Sequence, residues 1–115
     1  MAHKGSCHCG RIAYEVDGDI DALVQCNCSI CSKKGYLLYF IARDRLTLKT
    51  PETHLSTYTF NKHQINHHFC SSCGCSPFGI GSDQQGNTLA AINARCLDDL
   101  DISGIPIQPL NGRAL

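Results

Sequence analysis

Cysteine clusters constrain this chain of 115 residues more than any other feature. Eight of the nine cysteines fall into three short clusters: Cys7-His8-Cys9-Gly10, Cys26-Asn27-Cys28-Ser29-Ile30-Cys31 and Cys70-Ser71-Ser72-Cys73-Gly74-Cys75. The first residues lack the apolar stretch of a secretory signal, so we expect a cytoplasmic location, where thiols stay reduced. An odd number of cysteines in a reducing compartment favours metal binding over a disulfide framework.

The first and third clusters together can supply one closed metal site. Structural zinc takes four protein ligands in a tetrahedron, and one Cys-x-x-Cys motif provides only two of them. Cys7 and Cys9 are the natural second pair for Cys70 and Cys73. The spacing therefore predicts a structural zinc on these four cysteines, which would stabilise a small core because metal binding and folding are linked.

The middle cluster leaves a group of three, Cys26, Cys28 and Cys31. Three protein ligands with an open fourth position are typical of a catalytic or exchangeable zinc. A thiol that binds zinc loses its proton at neutral pH, so this group is suited to holding a small thiol as thiolate. Two alternatives stay open: a purely structural metal site, and a redox-active Cys-x-x-Cys, which normally opens a longer helix than this sequence predicts.

The remaining cysteines and histidines are weaker candidates for chemistry. Cys75 is interpreted as a loop thiol and Cys96 as a small core residue, because free cysteine is often simply buried. His67 and His68 precede Cys70 on a predicted strand, where alternate residues face opposite ways. We expect each of these histidines to be packed or exposed rather than a ligand.

The elements predicted from the sequence are mainly β. Apolar and alternating segments, separated by glycine and proline, predict strands over residues 11–16, 36–42, 46–48, 55–60, 65–69, 78–80 and 88–92. Residues 29–34 predict one helical turn that stops at Gly35, and residues 97–100 predict another. The cysteines are expected in the loops between strands. Residues 1–115 are predicted to form a single domain.

Composition excludes some classes of function. Hydrophobic residues make up 43% and charged residues 17%, which is typical of a globular protein. Ten basic and ten acidic residues give zero net charge, which argues against nucleic-acid binding. No segment approaches the roughly 18 apolar residues that a membrane span requires.

Three ordered motifs resemble one known family. Gly5-Ser6-Cys7-His8-Cys9-Gly10 followed by Tyr14, the middle cluster followed by Lys33-Lys34-Gly35, and Phe69-Cys70-Ser71-Ser72-Cys73-Gly74 resemble the glutathione-dependent formaldehyde-activating enzyme (GFA) family. The domain of centromere protein V belongs to the same superfamily. The resemblance implies a β-tent fold, in which small antiparallel sheets with short helical turns are held together by zinc.

The resemblance also implies an activity and its site. The structural zinc would lie on Cys7, Cys9, Cys70 and Cys73, and a catalytic zinc, open towards glutathione, on Cys26, Cys28 and Cys31. The implied reaction is that of a carbon–sulfur lyase, which forms or cleaves S-hydroxymethylglutathione from glutathione and formaldehyde. Lys33 and Lys34 could meet a glutathione carboxylate, or simply cap a short helix.

One further hypothesis accompanies this reading of the motifs. The chain could instead be a non-catalytic zinc module that carries glutathione or binds a protein partner. The partners predicted for the chain are a small thiol, glutathione in the first place, and a small aldehyde, with a homodimer as a further possibility and neither nucleic acid nor membrane.

Overall fold

Two β-sheets form the framework of the protein. The computed structural model describes residues 2–60, 64–83 and 85–112. The strands are β1 Ala2–Ser6, β2 Ala13–Asp17, β3 Leu23–Cys26, β4 Leu38–Ala42, β5 Leu46–Leu48, β6 Leu55–Tyr58, β7 Asn66–Cys70, β8 Phe78–Ser82, β9 Thr88–Asn93 and β10 Ile107–Leu110. One sheet has the order β1-β2-β5, and the other has the order β10-β3-β4-β9-β8-β7-β6.

Neighbouring strands are antiparallel except for one pair. The longest ladders of the larger sheet join β4 to β9 and β9 to β8 at its centre. At one edge, β10 runs parallel to β3, with Leu110 opposite Cys26. Pro109 within β10 lacks an N–H donor, which suits an edge strand. This parallel pair differs from the antiparallel arrangement that the family resemblance implied.

The main core joins the two sheets. Tyr14 and Val16 from the smaller sheet pack in one cluster with Phe78 and Ile92 from the larger sheet. The rings of Tyr14 and Phe78 meet edge to face, with 5.2 Å between their centroids. Gly5 lies against the Tyr14 ring so closely that a Cβ at this position would overlap it. Burial of these apolar side chains is the main favourable contribution to folding.

One short α-helix lies between β3 and β4. This helix, α1, spans Ser29–Lys34 and ends at Gly35, which adopts φ 70° and donates its N–H to the carbonyl of Cys31. Glycine is favoured at such a left-handed cap because it has no Cβ. Short 3₁₀ helices cover Arg43–Arg45, Glu52–His54, Ala94–Cys96 and Ile102–Gly104. In the described ranges, no helix has the length and apolar character needed to cross a membrane.

The mainly β prediction is confirmed, and the helix at Ser29–Lys34 has the predicted bounds. The helical turn predicted at residues 97–100 is not helical: residues 98–99 form a simple turn, and the 3₁₀ helix before it covers Ala94–Cys96. The strands β1, β3 and β10 were not predicted. The cysteines do not all lie in loops: Cys26 and Cys70 end strands and Cys31 lies in α1.

Candidate metal centres and the adjoining pocket

The first candidate centre is the four-cysteine group, which consists of Cys7, Cys9, Cys70 and Cys73. Two tight turns present these sulfurs. In one, Gly10 donates its N–H to the carbonyl of Cys7 at 3.3 Å, and in the other Gly74 donates to Cys70 at 2.9 Å. Both glycines have positive φ, of 84° and 79°, which the reversal of the backbone requires. The turns follow β1 and β7, so the group links the two sheets.

The sulfur spacing of this group matches a tetrahedral zinc site. Cys7 Sγ lies 3.7 Å from Cys9 Sγ, which lies 3.6 Å from Cys70 Sγ. A Zn–S bond of about 2.3 Å implies about 3.8 Å between sulfurs at tetrahedral angles. All four sulfurs lie within 4.8 Å of one another. The donor set and its size therefore fit zinc.

Backbone amides favour the thiolate form of Cys70 and Cys73. The N–H groups of Cys75 and Cys9 lower the pKa of the Cys73 thiol to about 6. The pKa of Cys70 is also lowered, mainly by the N–H of Cys73, which lies 3.4 Å from its sulfur. Thiolates are the form in which cysteine binds metal. Four such sulfurs repel one another unless a cation lies between them.

The second candidate centre is the three-cysteine group, which consists of Cys26, Cys28 and Cys31. Cys26 ends β3, Cys28 immediately precedes α1, and Cys31 lies buried within that helix. Their sulfurs also lie within 4.8 Å of one another. The turn is held by the N–H of Cys28, which donates to Cys26 Sγ at 3.4 Å. Among the described residues, no fourth cysteine, histidine or carboxylate joins them.

The thiols of this group differ in their environment. Burial raises the pKa of Cys31 far above its ordinary value. For Cys28, burial also raises the pKa, but the N–H of Cys31 and the neighbouring thiols of Cys31 and Cys26 outweigh it and lower the pKa. Opposite pKa shifts of this kind are expected where neighbouring thiols are so close that ionisation of one disfavours ionisation of the next. A bound cation would let all three ionise together.

The end of β10 and the residues that follow it cover one side of the three-cysteine group. The carbonyl of Leu110 accepts the N–H of Asn27 at 3.1 Å, and the Asn111 side chain accepts from that of Asn27 at 3.0 Å. The backbone of Gly112 lies so close that a Cβ there would overlap Cys26 Sγ. Gly112 is therefore part of the site, although no motif in the sequence indicated this.

The three-cysteine group borders an apolar pocket of about 180 Å³. The described residues that line it are Cys26, Cys28, Ile30, Cys31, Tyr36, Leu38, Phe40, Phe60, Ile65, His67, Ser76, Phe78, Gly79, Ala91, Asn93 and Leu110. No aspartate, glutamate, lysine or arginine is among them. Apart from the three sulfurs themselves, thiol chemistry at this centre would thus take place beside a wall without acidic or basic side chains of these four types.

His67 lies in this pocket wall, which the sequence did not predict. Its ring stacks on Phe60 at 5.4 Å between centroids. Burial lowers the pKa of His67, as do the charges of His68 and Lys34. His67 is therefore neutral at pH 7 and can accept a proton. His68, by contrast, bonds Thr57 Oγ1 through its Nδ1 at 3.0 Å and does not line the pocket.

Lys33 and Lys34 lie on the last turn of α1, beside the pocket. Both line a surface groove of about 430 Å³ that also contacts Ile30 and Tyr58. Lys34 Nζ donates to Ser76 Oγ at 3.2 Å and lies 5.8 Å from the centre of the Phe69 ring. The lysines are thus close to the three-cysteine group, but they do not line the apolar pocket itself.

Cys75 and Cys96 belong to neither group. Both are partly buried, and their sulfurs lie 3.5 Å apart. From the sequence, Cys75 was interpreted as a loop thiol and Cys96 as a core residue. No sequence pattern indicated that the two lie together. The amide nitrogen of the Asn93 side chain lies 3.7 Å from Cys96 Sγ.

Fold and site together define a class: a β-sheet protein with two cysteine groups that could each hold a metal ion. A family model described as glutathione-dependent formaldehyde-activating enzyme matches residues 2–109. The chain therefore belongs to this family, as its three motifs predicted.

A solved structure shares the fold. The crystal structure of a Rhodobacter sphaeroides protein, a structural-genomics target, is similar to this chain with a TM-score of 0.75 and 24% sequence identity. The match covers 91% of this chain and 99% of that one. At this identity the likeness concerns the fold alone.

Proposed function

We propose that this protein is a zinc-dependent carbon–sulfur lyase of the cytoplasm. It would bind glutathione through its thiolate at the three-cysteine group and form or cleave an adduct like S-hydroxymethylglutathione. The four-cysteine group would hold a second, structural zinc. Family membership supports the reaction class, and the arrangement of the site supports the assignment of roles.

One observation carries the proposal: three sulfurs converge at the wall of a pocket without a fourth protein ligand among the described residues. A structural site would normally have four. A zinc ion bound there would lower the pKa of a thiol at its fourth position, so that the glutathione sulfur is presented as a thiolate.

The chain's own residues would handle the rest of the reaction. The sulfur attacks the carbonyl carbon, an S–C bond forms, and the C=O π pair moves to oxygen. Neutral His67 can accept the thiol proton and return it to that oxygen, so no net proton is released. The apolar walls limit access of water to the reacting atoms. Lys33 and Lys34 would attract the carboxylates of the glutathione body in the adjoining groove.

Three measurements on the purified protein test this proposal. Zinc content, glutathione binding by calorimetry and adduct formation by exchange NMR are compared in the wild type, Cys28→Ser and Cys75→Ser. We expect the wild type and Cys75→Ser to bind glutathione and to exceed the spontaneous rate, because Cys75 lies outside both groups. Cys28→Ser should lose both properties. A zinc-loaded wild type that binds no small thiol would refute the proposal.

The second candidate function is a non-catalytic zinc module that carries glutathione or binds a protein partner. The exposed apolar residues around the pocket favour it, since such a surface can also bind a partner. The same NMR experiment separates the two functions. Glutathione binding without any acceleration over the spontaneous rate would favour the carrier.

A further inference from the structure

The pocket beside the three-cysteine group is more apolar than the predicted substrates require. Strands β4, β8 and β9 supply Phe40, Phe78 and Ala91 to its wall. Glutathione carries two carboxylates and an ammonium group, and burial of such charges beside an uncharged surface is unfavourable. Formaldehyde has only hydrogen on its carbonyl carbon, so it offers almost no apolar surface to this wall. Neither molecule accounts for the pocket.

The apolar surface continues to the outside of the pocket. Phe40, Ile65 and Leu110 line it and are 45%, 48% and 38% exposed. They are three of the five large hydrophobic residues that are exposed within the described ranges. Exposed apolar side chains that gather at one place mark a binding site more often than scattered ones do. Their position beside the sulfurs indicates a ligand that enters next to the reacting thiol.

We propose that this pocket binds the apolar substituent of an aldehyde larger than formaldehyde. The inference rests on the proposed function and names its carbonyl substrate class. Glutathione would lie along the lysine groove, with its sulfur at the three-cysteine group, and the aldehyde would place its carbonyl carbon at that sulfur and its substituent in the pocket.

The size of the pocket limits the substituent. Its volume is about 180 Å³. An apolar cavity of about 150 Å³ can hold benzene. The pocket therefore suits a phenyl ring or a branched alkyl chain of similar size, as in benzaldehyde or a short aliphatic aldehyde.

The chemistry is an addition that balances without a further reactant. The glutathione sulfur forms a bond to the carbonyl carbon, the π pair of C=O moves to oxygen, and this oxygen takes the proton that the thiol released. The product is a hemithioacetal, and neither oxidant nor reductant is needed. The reverse reaction releases the same aldehyde and glutathione.

A comparison of aldehydes on the zinc-loaded full chain tests the inference. Exchange NMR gives the rate of adduct formation with glutathione, relative to the spontaneous rate, for formaldehyde, pentanal, benzaldehyde and the charged aldehyde glyoxylate. We expect the acceleration to rise by about fourfold for each buried methylene. Benzaldehyde and pentanal should exceed formaldehyde, and glyoxylate should not.

Two variants locate the effect in the pocket. Ala91→Leu fills it and should lower the ratio of the benzaldehyde rate to the formaldehyde rate at least tenfold. Ala42→Leu makes the same change on β4 at an exposed residue outside the pocket and should leave that ratio unchanged. Phe40→Ala, at an exposed position, should also lower the ratio and serves if Ala91→Leu does not fold.

The outcomes separate this inference from the proposed function. The inference is overturned, and the lyase stays in place, if adduct formation with formaldehyde is accelerated without any preference for the apolar aldehydes. The same holds if neither Ala91→Leu nor Phe40→Ala changes the ratio of the benzaldehyde rate to the formaldehyde rate. No acceleration with any aldehyde overturns both. Preference for benzaldehyde that Ala91→Leu or Phe40→Ala abolishes and Ala42→Leu retains supports the inference.

Discussion

The backbone of Gly112 lies directly against the sulfur of Cys26, although the two residues are far apart in the sequence. A Cβ at residue 112 would overlap this sulfur and come within 3.1 Å of Cys28 Cβ. A sulfur that ligates a metal cannot move aside as a flexible side chain can. The segment that follows β10 therefore influences the geometry of the three-cysteine group.

Gly112→Ala should weaken metal binding at the three-cysteine group alone. Overpacking of this kind costs about 1–3 kcal/mol, which corresponds to a loss of affinity of at least about fivefold. Titration with a chromogenic chelator should show one of two zinc ions released at a lower chelator concentration than in the wild type. Gly104→Ala is the matched control, because a Cβ there meets no atom within 4 Å. Equal zinc release by both variants would contradict the expected role of Gly112.

Cys73→Ser should destabilise the whole fold, because the four-cysteine group links the turns after β1 and β7. We expect a loss of one zinc ion per chain and a Tm lower by about 10 °C or more, since metal binding and folding are linked. Mass spectrometry under native conditions and calorimetry measure these quantities. Cys75→Ser, two residues further on, should keep both the zinc content and the Tm. A stable Cys73→Ser variant with unchanged zinc would rule out a structural metal there.

Removal of either lysine charge should weaken glutathione binding modestly. Lys33 and Lys34 are exposed, and an exposed ion pair contributes about 0.2–1 kcal/mol, so each alanine variant should lose at most about fivefold in affinity. The loss should shrink as salt is added, because salt screens exposed charges. Calorimetry at two salt concentrations measures this, with the exposed Lys4→Ala on β1 as control. If the lysines only cap α1, the affinity will not change with either variant.

The rate of adduct formation should fall in acid because His67 becomes charged. Burial, followed by the charges of His68 and Lys34, lowers the pKa of His67 below its ordinary value of 6.5. The imidazole therefore stays neutral as the pH falls to 6.5, and the rate should decline only below that value. Folding stability contributed by neutral His67 is likewise present above pH 6.5 and is lost as the pH falls through the lower folded-state pKa.

A pH titration of the histidine resonances by NMR measures this pKa directly. His67→Gln should lower the rate of adduct formation and remove the part of its decline in acid that His67 causes. Zinc content is measured at each pH, so that loss of metal is distinguished from protonation of His67. His68→Gln is the matched control, since His68 shares a lowered pKa but does not line the pocket. A wild-type His67 that titrates above 6.5 would contradict the structure.

Local patterns in the sequence predicted the parts of the protein that depend on neighbouring residues. The helix before Gly35 was predicted with its bounds, because a glycine at φ 70° ends a helix in a way that the local sequence reveals. The grouping of the cysteines followed from metal coordination rules, and the structure brings the same residues together.

Features that depend on distant residues were missed. Strand β10 is short and contains Pro109, so only its parallel pairing with β3 makes it a strand. The pocket combines Phe40 and Ala91 from separate strands with Ile65, which precedes β7, and no periodicity within one segment shows that they meet. The position of His67 on the pocket wall depends on the same sheet packing.

The two cysteine groups differ in how far apart their members lie along the chain. Cys26, Cys28 and Cys31 fall within six consecutive residues, whereas Cys9 and Cys70 are separated by 61 positions. A local turn is enough to assemble the three-cysteine group, but the four-cysteine group requires closure of a long loop. During synthesis from the N-terminus, the three-cysteine group is complete about 40 residues before Cys70 is added. The order in which the two groups become able to bind a metal ion thus follows from the order of the cysteines.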